Sequence, residues 1–466
     1  MIPLILLSVF GIVNLFLGFL RSNRVLLPGA MLLLLAVFGA NVADWNNAAS
    51  YFHGMLVVDN YTVAFSGIVL LTLILLLPFS RSYVLADAPN LAEYYALLLF
   101  SLVGALMMIG YGHLLMLFVG IEILSISMYV LAGSDKRNAR SNEAALKYFL
   151  MGAFATGILL FGITLLYGAT GTFSLGELSA AVATPANASL RPLLYVGILM
   201  IIIGIGFKIS AAPFHFWTPD VYEGTPMFFT AYMSTVVKTA GFTAFLKLLA
   251  VALPAVQGFW LPTLVAMCAL TLLLGNVGAA VQTSAKRMLA YSSVSHAGYL
   301  LLGLIASRGV LNGPAANSLF FYSLAYSIAT VAAFGALKLV AEQRGREDYA
   351  GLNGLARTNP LLAFGLTVAM LSLGGIPLTA GFFGKFFIFA AVVEQGYIGL
   401  VIFAVLMSMV GIYYYLRPVI AMYFQPADER GAPIVVDGGQ QVMLVVLAVL
   451  TVLLGILPGF LSGIIR

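Results

Sequence analysis

Six lysines and one glutamate stand where ionised side chains are costly. Lys147, Lys208, Lys238, Lys247, Lys338 and Lys385 fall inside apolar runs, and so does Glu122, in Phe118-Val-Gly-Ile-Glu-Ile-Leu-Ser125. In a bilayer a charge near the middle costs about 2.5 to 3.5 kcal/mol. Glu122 with the four more central lysines (147, 208, 238 and 385) would then cost roughly 12 to 18 kcal/mol unless paired or hydrated. Such a cost implies a use. Burial disfavours the ammonium form, so a buried lysine can gain or lose a proton when a neighbouring charge changes, and a row of them can pass protons on. Hard cations such as sodium want several oxygen ligands. A row of lysines offers none and would repel them, so the chemistry indicated is proton transfer.

The roles differ with depth. At about 1.5 Å per residue, Glu122 and Lys147 lie roughly 10 to 15 Å below one surface on antiparallel neighbours, where an ion pair between them is expected. The pair is either functional or a structural salt bridge, with Lys147 reaching toward water. Lys208, Lys238 and Lys385 lie deeper among apolar or small neighbours, as proton-transfer groups or as buried ion-pair partners. Ser210, Ser234, Thr235, Thr239 and His296, the last in Tyr291-Ser-Ser-Val-Ser-His296, could hold water between them. His215 is either a gate in a proton relay or a cap on a backbone group. Lys247 and Lys338, near helix ends, are expected to snorkel, His53 and His113 to be interfacial, and Asp220 and Glu223 to cap the helix that follows them.

The elements that must position these groups are membrane helices. Of 466 residues 62% are hydrophobic and 8% charged, about a third of the charge of ordinary soluble chains and too little to cover a soluble surface of this size. With about 20 apolar residues per crossing, the sequence divides into fourteen spans: 2–20, 25–40, 57–78, 91–109, 112–132, 143–168, 192–212, 226–250, 257–280, 285–307, 315–341, 360–393, 396–423 and 439–463. The fold class expected is an all-α polytopic membrane protein. Spans seven and twelve are interrupted by Pro213-Phe-His-Phe-Trp-Thr-Pro-Asp220 and Gly374-Gly-Ile-Pro-Leu-Thr-Ala-Gly381. Proline removes a backbone donor and glycine loosens the helix, so each segment is expected to break around a polar cavity. The broken spans are five apart, which fits two inverted five-helix repeats with a broken helix in each. The single transmembrane domain then divides into 1–90, a first repeat 91–250, a second repeat 251–424, and a last loop and helix 425–466.

Charge sets the topology. Thirteen of the 22 lysines and arginines, among them Arg21, Arg24, Lys136, Arg137, Arg140 and Arg430, lie in loops on one side, whereas only Arg191, Arg308 and Arg466 lie on the other. The positive-inside rule places both termini on the non-cytoplasmic side. The first apolar run precedes its positive charges and reads as a retained helix, not a cleaved leader. The net charge of +5 is spread singly and builds no nucleic-acid face. Cys268, the single cysteine, can make no internal disulfide, four-ligand zinc site or iron–sulfur cluster, so no cofactor is expected in this chain. Gly384-Lys385 is followed by Phe386, and Gly204-Ile-Gly206 lacks a third glycine, so neither a phosphate loop nor a dinucleotide fingerprint is present.

Pro213-Phe-His-Phe-Trp-Thr-Pro-Asp-Val-Tyr-Glu-Gly-Thr-Pro226, Tyr291-Ser-Ser-Val-Ser-His296 and Gly375-Ile-Pro-Leu-Thr-Ala-Gly-Phe-Phe-Gly-Lys385 together resemble motifs of the antiporter-like membrane subunits of respiratory complex I. The similarity spans nearly the whole chain, and fourteen helices is also the family's number. The continuation Asp220-Val-Tyr-Glu-Gly224, the lysine at 385 and the stop after the fourteenth span fit one branch better than its two sisters. The resemblance implies a subunit without a redox centre in the cell inner membrane. It would move protons while partner subunits pass electrons from NADH through FMN and iron–sulfur clusters to a quinone. Its partners would be other complex I subunits, especially neighbouring antiporter-like and small membrane subunits, with the lipid bilayer around them. It further implies that Glu122 and Lys147 form the charge pair facing the neighbour, Lys208 the central switch, and Lys238 the relay to Lys385. Three other readings stay open: a subunit of a multi-subunit cation/proton antiporter, the equivalent subunit of a ferredoxin- or hydrogen-linked complex, and a structural membrane scaffold.

Overall fold

In a computed structural model, the residues described are all except 21–22, 86–89, 184–187, 312, 428–432, 462 and 465–466. Arg21, Arg430 and Arg466 lie outside the described residues. Long helices dominate the chain because the apolar runs have no water to satisfy their backbone and must bond internally. Six lead into the first break: α1 (Ile2–Leu17), α2 (Leu26–Ala43), α3 (Asn60–Leu76), α4 (Leu91–Gly110), α5 (Leu114–Ala132) and α6 (Ala139–Thr170). Around that break stand α7 (Arg191–Lys208), the short α8 (Thr218–Gly224) and α9 (Met227–Ala252). Then come α10 (Gln257–Ala280), α11 (Ala285–Ser307) and α12 (Pro314–Arg344). The second break separates α13 (Pro360–Gly374) from α14 (Ala380–Glu394), before α15 (Ile398–Phe424) and α16 (Gly438–Ile456). Twelve helices are long and apolar enough to cross a membrane. The shorter apolar α1 and α13 complete the fourteen expected spans; α8 follows the first break and α14 the second.

Local chemistry sets the ends. Asp59 caps α3 by accepting from Thr62 N at 2.8 Å, Ser284 caps α11 through Arg287 N, and Asp437 with Gln440 forms a capping box on α16. Gly171 and Gly345 close α6 and α12 in the left-handed conformation that glycine allows. Both breaks contain a non-glycine residue at positive φ, Ser210 at 62° and Leu378 at 71°. Such strain persists only where the surroundings fix it. In the first break Trp217 Nε1 donates to Phe207 O at 3.1 Å, and Ala212 N to Thr271 Oγ1 at 2.8 Å.

Several boundaries differ from the sequence reading. Span seven ends at Lys208 instead of 212, because the turn through Ser210 starts before Pro213. Span twelve breaks where expected, α13 stopping at Gly374 with the left-handed Gly375 after it. α9 contains π turns at Met233–Val237 and Leu248–Ala252. A hairpin of Ala49–Tyr51 and Leu56–Val58 precedes α3, in the register Ala49↔Val58, and was not foreseen because its strands are three residues each.

α9, α11 and α12 are buried almost throughout and form the core, with α3 beside them, whereas α2 and α15 are peripheral. α4 to α9 and α10 to α15 each supply five crossings with the break in the fourth, so the second unit enters from the opposite side. Close crossings recur at matching places. A Cβ on Gly104 of α4 would lie 2.6 Å from Gly120 O and Leu124 N of α5, and one on Gly275 of α10 would lie 2.5 Å from Ser295 N of α11. Since α5 carries Glu122 and Ser125, Gly104→Ala should push it off α4 and destabilise the assembled protein by about 1 to 3 kcal/mol. A thermal unfolding midpoint equal to that of the native protein would contradict this.

Candidate functional site

Lys208, the last residue of α7, is 6% exposed, and its Nζ donates to Ser125 Oγ at 2.7 Å and Tyr148 OH at 3.4 Å. Tyr148 stacks on Trp217 of the break at 4.7 Å. Ser125 is one turn after Glu122, on the same side of α5, and the Glu122 charge acts on Lys208. Glu122 itself is half-buried, and its Oε1 has no hydrogen-bond partner among the described residues.

The expected Glu122–Lys147 pair is not what the structure contains. Lys147 Nζ lies 2.7 Å from Glu143 Oε1 and 3.0 Å from Asp220 Oδ2. The reason is geometric: Glu143 is one turn earlier on α6, and α8 packs against α6, bringing Asp220 across. Asp220 and Glu223 are therefore not simple caps. Arg287 of α11 bridges them, with Nη2 2.9 Å from Asp220 Oδ1 and Nη1 hydrogen-bonded to Glu223. A cavity of about 270 Å³ is lined by Arg140, Glu143, Lys147, Asp220, Glu223 and Arg287. It adjoins a polar cleft of about 860 Å³ whose wall includes Arg140, Glu223, Lys286, Lys338, Glu342 and Glu347.

Lys238, His296 and Lys385 are brought together. Lys238, next to the first π turn of α9, donates to Ser293 O and to Ser293 Oγ at 2.5 Å, and Tyr326 OH donates to the same Oγ at 3.1 Å. The His296 ring lies 4.6 Å from the Tyr326 ring. Its Nδ1 is hydrogen-bonded with Tyr322 OH at 2.7 Å and its Nε2 with Tyr415 OH at 3.0 Å. Both Lys238 and Lys385 act electrostatically on His296. Lys385 Nζ donates to Leu373 O at 3.2 Å, Gly374 O at 3.0 Å and Ser408 Oγ at 2.9 Å, and lies over the Tyr299 ring at 4.8 Å. Ser234 and Thr235 instead donate to Ala231 O on their own helix.

His215 stands apart in the first break: its backbone O accepts from Thr218 N at 2.9 Å, while Nδ1 is buried with no hydrogen-bond partner among the described residues. Lys247 and Lys338 do not snorkel, each being 3% exposed. Lys247 turns inward to Ile109 O at 3.5 Å and to the Tyr111 ring at 5.8 Å, while Lys338 is held by Glu342 at 2.6 Å and by Ser82. His113 caps α5 through Leu115 N at 3.3 Å and His53 is exposed in the hairpin turn, the boundary positions expected. Cys268 is buried against Gly298 O at 3.3 Å. Sequence reasoning missed Arg287 and the tyrosines and serines around the lysines. The Glu143–Lys147 spacing of four was the one readable signal.

Residues 112–411 match the family described as NADH:quinone oxidoreductase/Mrp antiporter, TM. A relative from Cytophaga hutchinsonii is 41% identical over 98% of this chain and 98% of its own, and one from Trichlorobacter lovleyi 41% identical over 98% and 93%. Both are named NADH-quinone oxidoreductase subunit N. The chain belongs to this family. Respiratory complex I from Thermus thermophilus contains a chain 34% identical to this one, with a TM-score of 0.82, covering 98% of this chain and 97% of that one. The Mrp complex of a Dietzia species contains one with the same fold at 22% identity and a TM-score of 0.84, covering 98% and 96%. Family membership makes this a multi-pass membrane protein of a multi-subunit assembly, with other complex I subunits as its partners.

In the ion cluster, burial pushes the Asp220 carboxyl up, but the hydrogen bonds from Lys147 and Arg287 outweigh it and hold the group below the usual carboxylate range. The folded state therefore gains stability from this group above the ordinary carboxylate pKa and loses it as pH falls through the lower folded value. Lys147→Met removes one of the two cations, so Asp220 should take up its proton at a higher pH. The infrared carbonyl band of the protonated acid, assigned by Asp220→Asn, reads this, and a band that titrates where it does in the native chain would refute it.

Proposed function

We propose that the chain is the proton-translocating membrane-arm subunit of an NADH-quinone oxidoreductase, a non-redox part of the translocase. Electron transfer from NADH through FMN and iron–sulfur clusters to quinone is made by partner subunits. The observation that carries this reading is the hydrogen-bonded series Lys238–Ser293–Tyr326, with the His296 ring packed 4.6 Å from Tyr326 and bonded to Tyr322 and Tyr415, Lys385 beyond it and the Glu122 charge acting on Lys208. Lysines with hydroxyl and carbonyl acceptors can each hold or release a proton without a fixed counter-charge locking them in one state. Glu122, Lys147, Lys208, Lys238 and Lys385 are the proton-transfer residues in this reading. His296 relays between the last two lysines, and His215 lies off the line.

The mechanism begins at Glu122. A charge change in the neighbouring subunit alters the field that Glu122 exerts on Lys208, whose ammonium donates to the hydroxyls of Ser125 and Tyr148. Lys208 then releases its proton toward Lys238, and the hydroxyls around His296 carry one on to Lys385. Ser295, Tyr299, Ser323, Ser327 and Thr330 have buried hydroxyls without a hydrogen-bond partner among the described residues, and buried polar atoms need partners, so water joins the series there. Lys147 enters through its partner Asp220. The polar cleft of about 860 Å³, on the side of the positive loops, is the aqueous approach. The domain division follows the same reading: 91–250 and 251–424 each supply one half of the path, 1–90 and 425–466 flank them, and both termini lie on the non-cytoplasmic side of the inner membrane.

Two measurements test this. Particles purified through this chain should contain flavin and iron and reduce quinone with NADH, whereas particles without them that exchange sodium or potassium for protons would assign the chain to an antiporter. In membrane vesicles Lys208→Ala should assemble normally and lower both the protons moved per NADH and the coupled quinone reduction. A native proton yield would sink the assignment.

A further inference from the structure

Arg287, in the first turn of α11, ion-pairs the second half to the first. Its guanidinium spans Asp220 and Glu223, one turn apart on α8, and Asp220 gives its other oxygen to Lys147. Asp220 is thus shared between a lysine of the first half and an arginine of the second. α8 is the segment just beyond the break that follows Lys208, so whatever holds α8 also bounds that break. Six residues on from Arg287 the same helix presents Ser293, which accepts from Lys238, and three further on His296. Six residues of helix are about 9 Å, and α11 is continuous between them.

We propose that Arg287 is the positioning residue that couples the Lys147–Asp220 ion pair to the Lys238 relay, by tying α8 to α11 so that a change in the pairing of Asp220 is passed along α11 to Ser293. The inference rests on the proton-translocating reading above and deepens it. A planar guanidinium can bond two carboxylates at once, which a single ammonium does with poorer geometry. When Lys147 leaves Asp220, that carboxylate is satisfied by Arg287 alone, the balance between its two bonds changes, and α8 and the first turn of α11 shift relative to each other. Arg287 is 28% and Asp220 41% exposed, and both border the cavity of about 270 Å³. Water there lets the pairs exchange without leaving a bare buried charge. The chain of contacts is physically continuous, from Glu143 and Lys147 through Asp220 and Arg287 to Ser293 and Lys238.

The test is a double-mutant cycle in vesicles holding the whole respiratory complex, read as protons moved per NADH oxidised. Arg287→Gln and Lys147→Met should each lower the yield, and Arg287→Lys should lower it less. The double variant Lys147→Met with Arg287→Gln should lose no more than the larger single loss, because both act on one carboxylate. A merely structural Arg287 would leave the two losses multiplying, and that result overturns the proposal, as does a native yield from Arg287→Gln in an assembled particle. If Arg287→Gln fails to assemble, the same cycle is run with Arg287→Lys. Lys208→Ala in the same vesicles separates the failures. An unchanged yield there overturns proton translocation itself, whereas a lowered yield with multiplying losses overturns only the role of Arg287.

Discussion

Everything central in this fold is arranged around the cost of an ammonium out of water. Lys208, Lys238 and Lys385 are buried, and none of them has a carboxylate within hydrogen-bonding distance among the described residues. Their protons must therefore be met by neutral oxygens. A regular helix has few to spare, because its carbonyls are already bonded. The second break releases them: Leu373 O and Gly374 O, in the last turn of α13, are among the orphan acceptors of any helix end, and both accept from Lys385. At the first break the chain turns away directly after Lys208, so the lysine ends its helix and reaches hydroxyls on α5 and α6. The interruptions in both spans are thus a condition for burying the lysines.

Tyrosine does much of the remaining work. Its ring packs as an apolar body while its hydroxyl supplies an oxygen deep in the bundle, and a ring face stabilises a cation above it. Tyr148, Tyr326 and Tyr299 each lie within 6 Å of a central lysine Nζ. Tyr322 and Tyr415 hold both nitrogens of His296. Glycine at the helix crossings lets these side chains approach, since α4 against α5 and α10 against α11 leave no room for a Cβ at Gly104 or Gly275.

Much of this was legible in the sequence, for reasons that differ by feature. The fourteen crossings followed from run length, because the bilayer imposes one period on every span. The breaks followed from Pro213 and from Gly374, Gly375 and Pro377, whose backbone chemistry is local. The buried lysines stood out because a charge in an apolar run is rare. Partners separated by long stretches of chain were not legible. Nothing near Lys238 points to Ser293, 55 residues on, and nothing near Lys147 points to Asp220, which is 73 residues away. The error over Glu122 came from choosing the partner by depth alone, when the packing of α8 on α6 put a nearer carboxylate beside the lysine. Lys247 and Lys338 were misjudged similarly, since proximity to a helix end does not fix which way a long side chain turns.

Charge and buried hydrogen bonding are divided between two places. Where α6, α8 and α11 meet, charges of both halves gather in a partly exposed cluster, where each ion pair is worth little and exchanges cheaply. Around Lys238, Ser293 and His296 the polar groups are buried, so their hydrogen bonds are strong and a change in any of them is expensive. A small event can rearrange the former but not directly the latter. In the proposed mechanism the coupling therefore acts where rearrangement costs least, at Lys147, Asp220 and Arg287. The proposed proton path runs through the buried groups between Lys238 and Lys385, and α11 is the element common to both. The proposed coupling needs a rigid helix to transmit through, and Arg287, Ser293 and His296 do share one uninterrupted element, α11.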